Sequence, residues 1–306
     1  MASPEALAAA LERLAPGQVR RDEPLARHVT FRIGGPADVL VLPRTLDDLA
    51  RVVRWLAAEG ERFIVLGRGS NVLIADRGVR GVVVKTGRGQ EGLRFDSPRV
   101  VAECGVSMPY LARQASVRGL SGLEFAGGVP GSVGGAVVMN AGAHGRSTAD
   151  VVQSVRVVGA AGEAVWSSRR LAYGYRESEL QHADVVVLEA EFLLVPEDPA
   201  VTVARLEDWL RHRSDTQPLG PPSSGCVFRN PPGDHAGRLI DQAGGKGLSV
   251  GGAVVSDRHA NYILNVGGAS AAEVLALIGK VREHVRGRFG IELATEVKLI
   301  GEFDPA

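Results

Sequence analysis

The chain is predicted to be α+β and to hold more than one domain. Its 306 residues exceed what a single small core usually holds. Apolar residues make up 45% and charged residues 23%, which is globular composition rather than that of a disordered chain. Short β-type apolar runs alternate with helical segments that carry capping signals.

The elements follow in order. Residues 3 to 14 read as an Ala/Leu helix, and DVLVL (38–42) as a strand. Thr45 to Ala58 reads as a helix, with Thr45 and Asp48 spaced as a capping box. FIVL (63–66), VLI (72–74) and VVVK (82–85) are strands, and GRGSN lies in a loop between the first two. This α+β unit ends near residue 94. A second unit opens with the strand VVAEC at Val100, then a helix from Ser107 to Val117, a Gly-rich loop, and strands near 152–159 and 185–195. A linking helix is expected over 202–212. The tail holds a short strand at Val227, a helix around Leu239, strands near 252–255 and 262–265, and a helix from 270 to about 287. Ser270 and Glu273 form a capping box for that helix, and Val274, Leu277, Ile278, Val281 and Val285 share one face. IELATEVKLI is read as the final strand.

Charge and cysteine content narrow the function classes. Thirty-five basic residues balance thirty-five acidic ones, so nucleic acid and anionic membrane are not expected as partners. Arg211 and Arg213 are a local cluster suited to a small anion. Cys104 and Cys226 are the two cysteines, and neither a CxxC pair nor HxxxH spacing occurs. No metal site or disulfide framework is expected. The uncharged stretch Phe125 to Ala143 is rich in glycine and carries Pro130 and Asn140; it reads as a buried loop and short helix, not a membrane span. No targeting segment is visible. A cytosolic monomer acting on a small molecule is the expectation.

Glycine is the oddity, at 39 residues against a usual share of about 7%. Gly67-Arg68-Gly69-Ser70-Asn71 follows a strand, as a dinucleotide-binding fingerprint does. Val72 replaces the third glycine, however, and a strand follows in place of a helix. Gly244 to Gly247 lacks the residues and spacing of a Walker A loop. The 67–71 loop can still offer backbone N–H groups to phosphate, or it can be a plain turn; alone it favours neither. The second loop, Gly127-Gly128-Val129-Pro130-Gly131-Ser132-Val133-Gly134-Gly135, is too long and apolar for a surface linker. Two such loops, one per unit, suggest a large dinucleotide held by two small domains.

TFRIGGPAD (30–38), GRGSNVLIAD (67–76), GLEFAGGVPGSVGGAVVMNAGAHG (122–145) and YRES (175–178) resemble stretches of the UDP-N-acetylenolpyruvoylglucosamine reductase family. SSGCVFRNP (223–231), RLIDQAGGKG (238–247), GGAVVSDRHANYILN (251–265) and TEVKLIG (295–301) continue the match in order. The resemblance implies an FAD-binding fold of the vanillyl-alcohol-oxidase (PCMH) type. It would have two subdomains, over 1–94 and 95–200, and a C-terminal α+β substrate-binding domain over 201–306. The short interval between YRES and SSGCVF is similar to the family's shorter branch, which lacks an extra tyrosine-bearing loop.

The implied reaction turns the enolpyruvyl group of UDP-N-acetylglucosamine enolpyruvate into a lactyl ether. NADPH is the hydride donor and FAD the carrier. Arg176 matches the family position that steadies negative charge on the substrate carboxylate, a task suited to a planar cationic fork. Its structural alternative is a surface salt bridge with Glu177 or Glu179. Glu296 matches a second electrostatic and acid–base position. A carboxylate beside accumulating negative charge needs a raised pKa or a close partner. Its alternative is an outward strand residue paired with Lys298.

Cys226 falls where the proton-delivering residue stands, usually a serine. A thiol with an ordinary pKa of roughly 8.5 is mostly protonated at neutral pH and can act as an acid. Its alternative is a small buried apolar residue. Tyr175, Arg213, Asn230 and His259 match the substrate side. FAD contacts are implied for Gly67, Arg68, Gly69, Ser70 and Asn71, for Gly127, Gly128, Val129, Pro130, Gly131, Ser132, Gly134 and Gly135, and for Asn140, Ala141 and Gly142. His144 stands where a tyrosine is frequent, and Gly245 where a leucine is. Two other readings stand beside this one: an FAD-linked sugar or hydroxyacid oxidase of the same fold, and a non-catalytic nucleotide-binding module.

Overall fold

A computed structural model of the chain describes residues 2–303. Two compact units interleave along the sequence. The first is built from the chain up to Arg21, Val39–Arg68 and Gly81–Arg213. The second is built from Asp22–Asp38, Gly69–Arg80 and the chain from Ser214 on. Two expected breaks are corrected by the elements themselves. Position 94/95 falls inside the strand Leu93–Asp96, which pairs with Arg99–Glu103. Position 200/201 falls inside a helix, Pro199–Thr216, longer than the 202–212 segment expected there.

In the first unit an antiparallel sheet runs in the order Gly162–Ser167, Val152–Gly159, Val185–Leu193, Arg99–Glu103, Leu93–Asp96. The central strands read as apolar runs because their inward residues, such as Val155, Val157, Ala190 and Phe192, are buried. The two edge strands were not anticipated. Gly162–Ser167 is mostly exposed apart from Trp166, and Leu93–Asp96 is a four-residue strand with only Leu93 and Phe95 packed on the core. The polar strand Val19–Pro24 escaped for the same reason. Helix Leu46–Ala58 buries Leu49, Val52, Val53 and Leu56. The Thr45 hydroxyl accepts from the Asp48 amide at 3.0 Å, while the Asp48 carboxylate accepts from Gln18 and Arg51. Phe63–Leu66 pairs in parallel with residues 82–85, placing Leu66 opposite Lys85.

In the second unit a four-stranded antiparallel sheet runs Ser223–Cys226, Tyr262–Asn265, Ala253–Val255, Ser249–Val250. Helix Ala271–Phe289 lays its expected face, Val274 to Val285, into the core with Leu239, Ile240 and Ile263. Its capping box is present. The Asp76 carboxylate also accepts from the Ala271 and Ala272 amides at 2.8 and 3.0 Å. The final segment is shorter than expected. Only Lys298–Ile300 is a strand, in parallel register with Val72–Ile74. Residues 291–297 instead run as an irregular segment with a single bridge from Thr295 to Phe228.

The uncharged stretch 125–143 forms a 3-10 turn, Glu124–Gly128, and a short helix, Val133–Val138. Among the described residues no helix is long and apolar enough to cross a membrane.

Candidate active site

Arg176 belongs to the first unit and Cys226 and Glu296 to the second. Each is held by the local geometry of its own unit.

Tyr175 and Arg176 occupy the tip of a reverse turn closed by paired Gly174 and Glu177 bonds of 3.0 and 3.2 Å. Arg176 has φ 58, left-handed backbone that costs an arginine on the order of 1–3 kcal/mol. The surroundings hold it there. Gln181 Nε2 donates to the Arg176 carbonyl at 3.1 Å, and Asn140 Nδ2 donates to the Gly174 carbonyl at 2.8 Å. The guanidinium donates to the Gly142 carbonyl at 3.0 Å and reaches the Asn140 carbonyl at 3.5 Å. Asn140, only 6% exposed, receives the Ala149 amide on its side-chain oxygen, so its amide group is spent on fixing the turn. Glu177, one carboxylate named as a surface partner for Arg176, lies 3.6 Å from His182.

Beside this turn the hairpin Gly142–Ala143/Arg146–Ser147 reverses at His144 and Gly145, both with positive φ (55 and 75). A two-residue turn of this kind needs φ > 0 at both positions. The His144 ring stacks on Trp209 at 3.8 Å, with His212 edge-on at 5.5 Å. Burial, and then His212, hold the His144 imidazole below its ordinary pKa.

The glycine loop 127–135 is tight, but not chiefly against open space. A side chain on Gly127 would strike Leu206, one on Gly128 would come within 3.1 Å of Arg213 Cδ, and one on Gly134 within 3.0 Å of Cys104. These glycines admit the helix Pro199–Thr216 and the sheet, a packing reason for glycine at each position. Arg213, expected on the substrate side, lies on this loop. Gly67 is different. A Cβ there would fall 2.7 Å from the Ser132 hydroxyl, which is buried and has no hydrogen-bond partner. A buried donor without an acceptor beside a glycine cradle fits the phosphate oxygens of a dinucleotide.

In the second unit Gly225, φ 76, sits in an irregularity between the pairs Ser223↔Leu264 and Cys226↔Tyr262. Such a bulge re-aims the side chain that follows it. Cys226 is half-buried, and neither cysteine forms a disulfide. Cys104 is a core residue whose thiol burial, and then Glu103, push up to about 12, so it offers no acid chemistry.

The residues after Cys226 are clamped from both sides. Asn261 bonds the Phe228 amide through Oδ1 at 2.9 Å and the Phe228 carbonyl through Nδ2 at 2.8 Å. The Glu296 amide donates to the Val227 carbonyl at 2.7 Å, and the Arg229 amide to that of Ala294 at 2.9 Å. The Glu296 backbone is thereby tied to Val227, the residue after Cys226. Asn71, expected on the cofactor, donates to the Glu296 carbonyl at 3.3 Å, and its own carbonyl accepts from Lys298 at 3.0 Å. Thr30 Oγ1 ties TFRIGG to the same unit, 2.7 Å from the Ser223 carbonyl.

Asn230 accepts the Ala236 amide on its side-chain oxygen at 3.0 Å, which starts the helix Ala236–Gln242. His259 accepts from the Asn261 amide at 3.3 Å and meets Tyr262 edge-on; burial chiefly, and then Lys246, lower its pKa. Gly245 is glycine because the chain closes on Ile240 there, with the Gly245 amide 2.8 Å from its carbonyl. Among the described residues no three metal-ligating groups converge.

Sequence reasoning missed Asn261. It is 3% exposed, and a polar residue inside NYILN carries no signal of the bonds it makes. Asn261→Ala would strand both Phe228 backbone groups and is expected to lower unfolding free energy by about 2–3 kcal/mol, read from the chemical-denaturation midpoint.

The family described as UDP-N-acetylenolpyruvoylglucosamine reductase, C-terminal domain, matches residues 217–300, and an FAD binding domain family matches residues 37–168. The UDP-N-acetylenolpyruvoylglucosamine reductase of Bacillus subtilis is 43% identical over 93% of this chain and 95% of its own length. The chain belongs to the UDP-N-acetylenolpyruvoylglucosamine reductase family. Other members agree: that of Bacillus licheniformis is 42% identical over 95% of this chain and 97% of its own. The crystal structure of the Thermus caldophilus family member superposes with a TM-score of 0.80 at 36% identity, over 92% of this chain and 99% of that one. The FAD-binding fold expected from the sequence is therefore the fold of this family.

Proposed function

We propose that this chain carries out the family reaction with Arg176, Cys226 and Glu296 as its reacting side chains. The reaction is FAD-dependent, NADPH-driven reduction of UDP-N-acetylglucosamine enolpyruvate to UDP-N-acetylmuramate, a step of peptidoglycan precursor synthesis. The observation that carries the reading is full-length likeness to these reductases at more than 40% identity, with YRES, SSGCVFRNP and TEVKLIG all present.

Bound FAD would supply the hydride-carrier chemistry between NADPH and the substrate's vinyl carbon. Residues about Gly67, Ser132 and the 127–135 loop would hold it. The remaining work is the protein's. Addition of hydride to a C=C conjugated with a carboxylate builds negative charge on the carboxylate oxygens. A guanidinium already oriented by fixed carbonyls stabilises that charge without reorganising. The proton that completes the reduction goes to the adjacent carbon, from the Cys226 thiol. Glu296, whose amide bonds the carbonyl of Val227, the residue after Cys226, tunes or re-supplies that proton. Tyr175, Asn230, Arg213 and His259 complete the substrate contacts in this reading. A cytosolic monomer with no nucleic-acid or membrane partner belongs to it too, supported by the balanced charge.

Purified protein should be yellow. Its visible flavin band should bleach on anaerobic addition of NADPH and return on addition of the enolpyruvyl nucleotide. Bleaching that only oxygen reverses would favour the oxidase reading, and a colourless protein that binds nucleotide without turnover the binding-module reading.

A further inference from the structure

Lys85 ends the strand Val79–Lys85, opposite Leu66, in parallel pairing. The carboxyl ends of both strands therefore open together, at Gly67 and at Lys85, and that edge of a parallel pair is where ligands of α/β sheets bind. The lysine is half-buried and donates to the Gly67 carbonyl. No carboxylate pairs with it among the described residues, and its electrostatic neighbour is another cation, Arg68. Burial, and then Arg68, lower its amine to about 8. A cation held out of water beside a second cation is unfavourable unless an anion joins them. One residue away the Ser132 hydroxyl is also buried and lacks an acceptor, with Gly67 leaving room in front of it. A half-buried ammonium and a buried hydroxyl, neither paired with a carboxylate among the described residues, thus converge on Gly67.

We propose that Lys85 is a binding residue for the cofactor's diphosphate, its ammonium and the Ser132 hydroxyl taking the anion at the Gly67 cradle. The inference rests on the FAD reading above. It adds a charge contact outside both glycine loops. The isoalloxazine end is not involved, so the contact governs cofactor retention and not the chemistry.

The test uses apoprotein stripped of flavin and titrated with FAD and, separately, with riboflavin, which has no phosphate. Binding is followed by flavin fluorescence. Lys85→Met should weaken FAD by about 10- to 100-fold, the span of a lost charged hydrogen bond. It should leave riboflavin affinity within about twofold and should not lower the apoprotein's Tm. Lys85→Arg should recover most of the FAD affinity. In the unaltered protein FAD affinity should fall with added salt and riboflavin affinity should not. An unchanged FAD affinity in Lys85→Met overturns the proposal. So does a parallel loss of both flavins with a lowered Tm, which would make Lys85 a structural prop. If the unaltered apoprotein binds neither flavin, the FAD reading itself fails and takes this contact with it.

Discussion

Replacing Cys226 by alanine is expected to cut turnover between about 10² and 10⁴-fold, the range set by removal of a positioned general acid. Stopped-flow bleaching of the flavin by NADPH should meanwhile proceed at the parent rate. The split follows from chemistry. Hydride transfer from NADPH requires no proton from the protein, whereas saturation of the enolpyruvyl double bond is incomplete until the carbon beside the ether oxygen is protonated. The thiol is suited to the task by place as well as by type. The Gly225 bulge turns it out of the strand's regular alternation. Asn261 and the 294–296 segment fix the backbone directly behind it. Cys226→Ser should recover turnover to within about tenfold, since a hydroxyl fills the same position as a weaker acid. Loss of both half-reactions together in Cys226→Ala would remove the assigned role, because a proton donor has no part in the first.

Replacing Arg176 by methionine is expected to lower kcat by about 10²- to 10³-fold, the loss typical of one preorganised donor at a developing anion. Arg176→Lys should recover little of it. The guanidinium is a planar fork that can satisfy the Gly142 and Asn140 carbonyls and still present donors to a carboxylate. An ammonium that satisfies the same carbonyls has fewer donors left and no fixed plane. The measurement is single-turnover reoxidation of reduced enzyme by the enolpyruvyl nucleotide, beside the melting temperature. The left-handed backbone at Arg176 is strained for lysine and methionine equally, so any loss of Tm should be shared by the two variants. A lysine variant with parental rates would show that the position needs only positive charge.

How much of this was legible in the sequence differs from element to element. Ala271–Phe289 was readable almost to the residue, because its capping box and apolar face are local features. So were Leu46–Ala58 and the buried central strands. The edge strands Leu93–Asp96 and Gly162–Ser167 were not, although each forms a hairpin with the strand beside it in sequence, because they are short and few of their side chains are fully buried. IELATEVKLI looked like one long strand, yet only its last three residues pair as strand; the rest is held by single bonds to residues 227–229. No pattern within that segment records those bonds.

Among candidate site residues, motif order in the sequence singled out Arg176, Cys226 and Glu296. Lys85 was passed over as the tail of an apolar strand, and no pattern in the sequence recorded that the helix Pro199–Thr216 packs against Gly127 and Gly128.

The sequence by itself determined the family, the reaction class, the residue types available for it, and every helix whose caps and apolar face lie within one stretch of chain. These are properties of identity and of neighbours a few positions apart. Tertiary structure alone decided which way those residues are held. It set Arg176 in a left-handed turn against two carbonyls, joined Glu296 to the segment after Cys226, and brought the half-buried Lys85 ammonium and the buried Ser132 hydroxyl to one glycine. Each of these depends on contacts between residues tens of positions apart. Burial and hydrogen-bond satisfaction are fixed only when such distant segments meet.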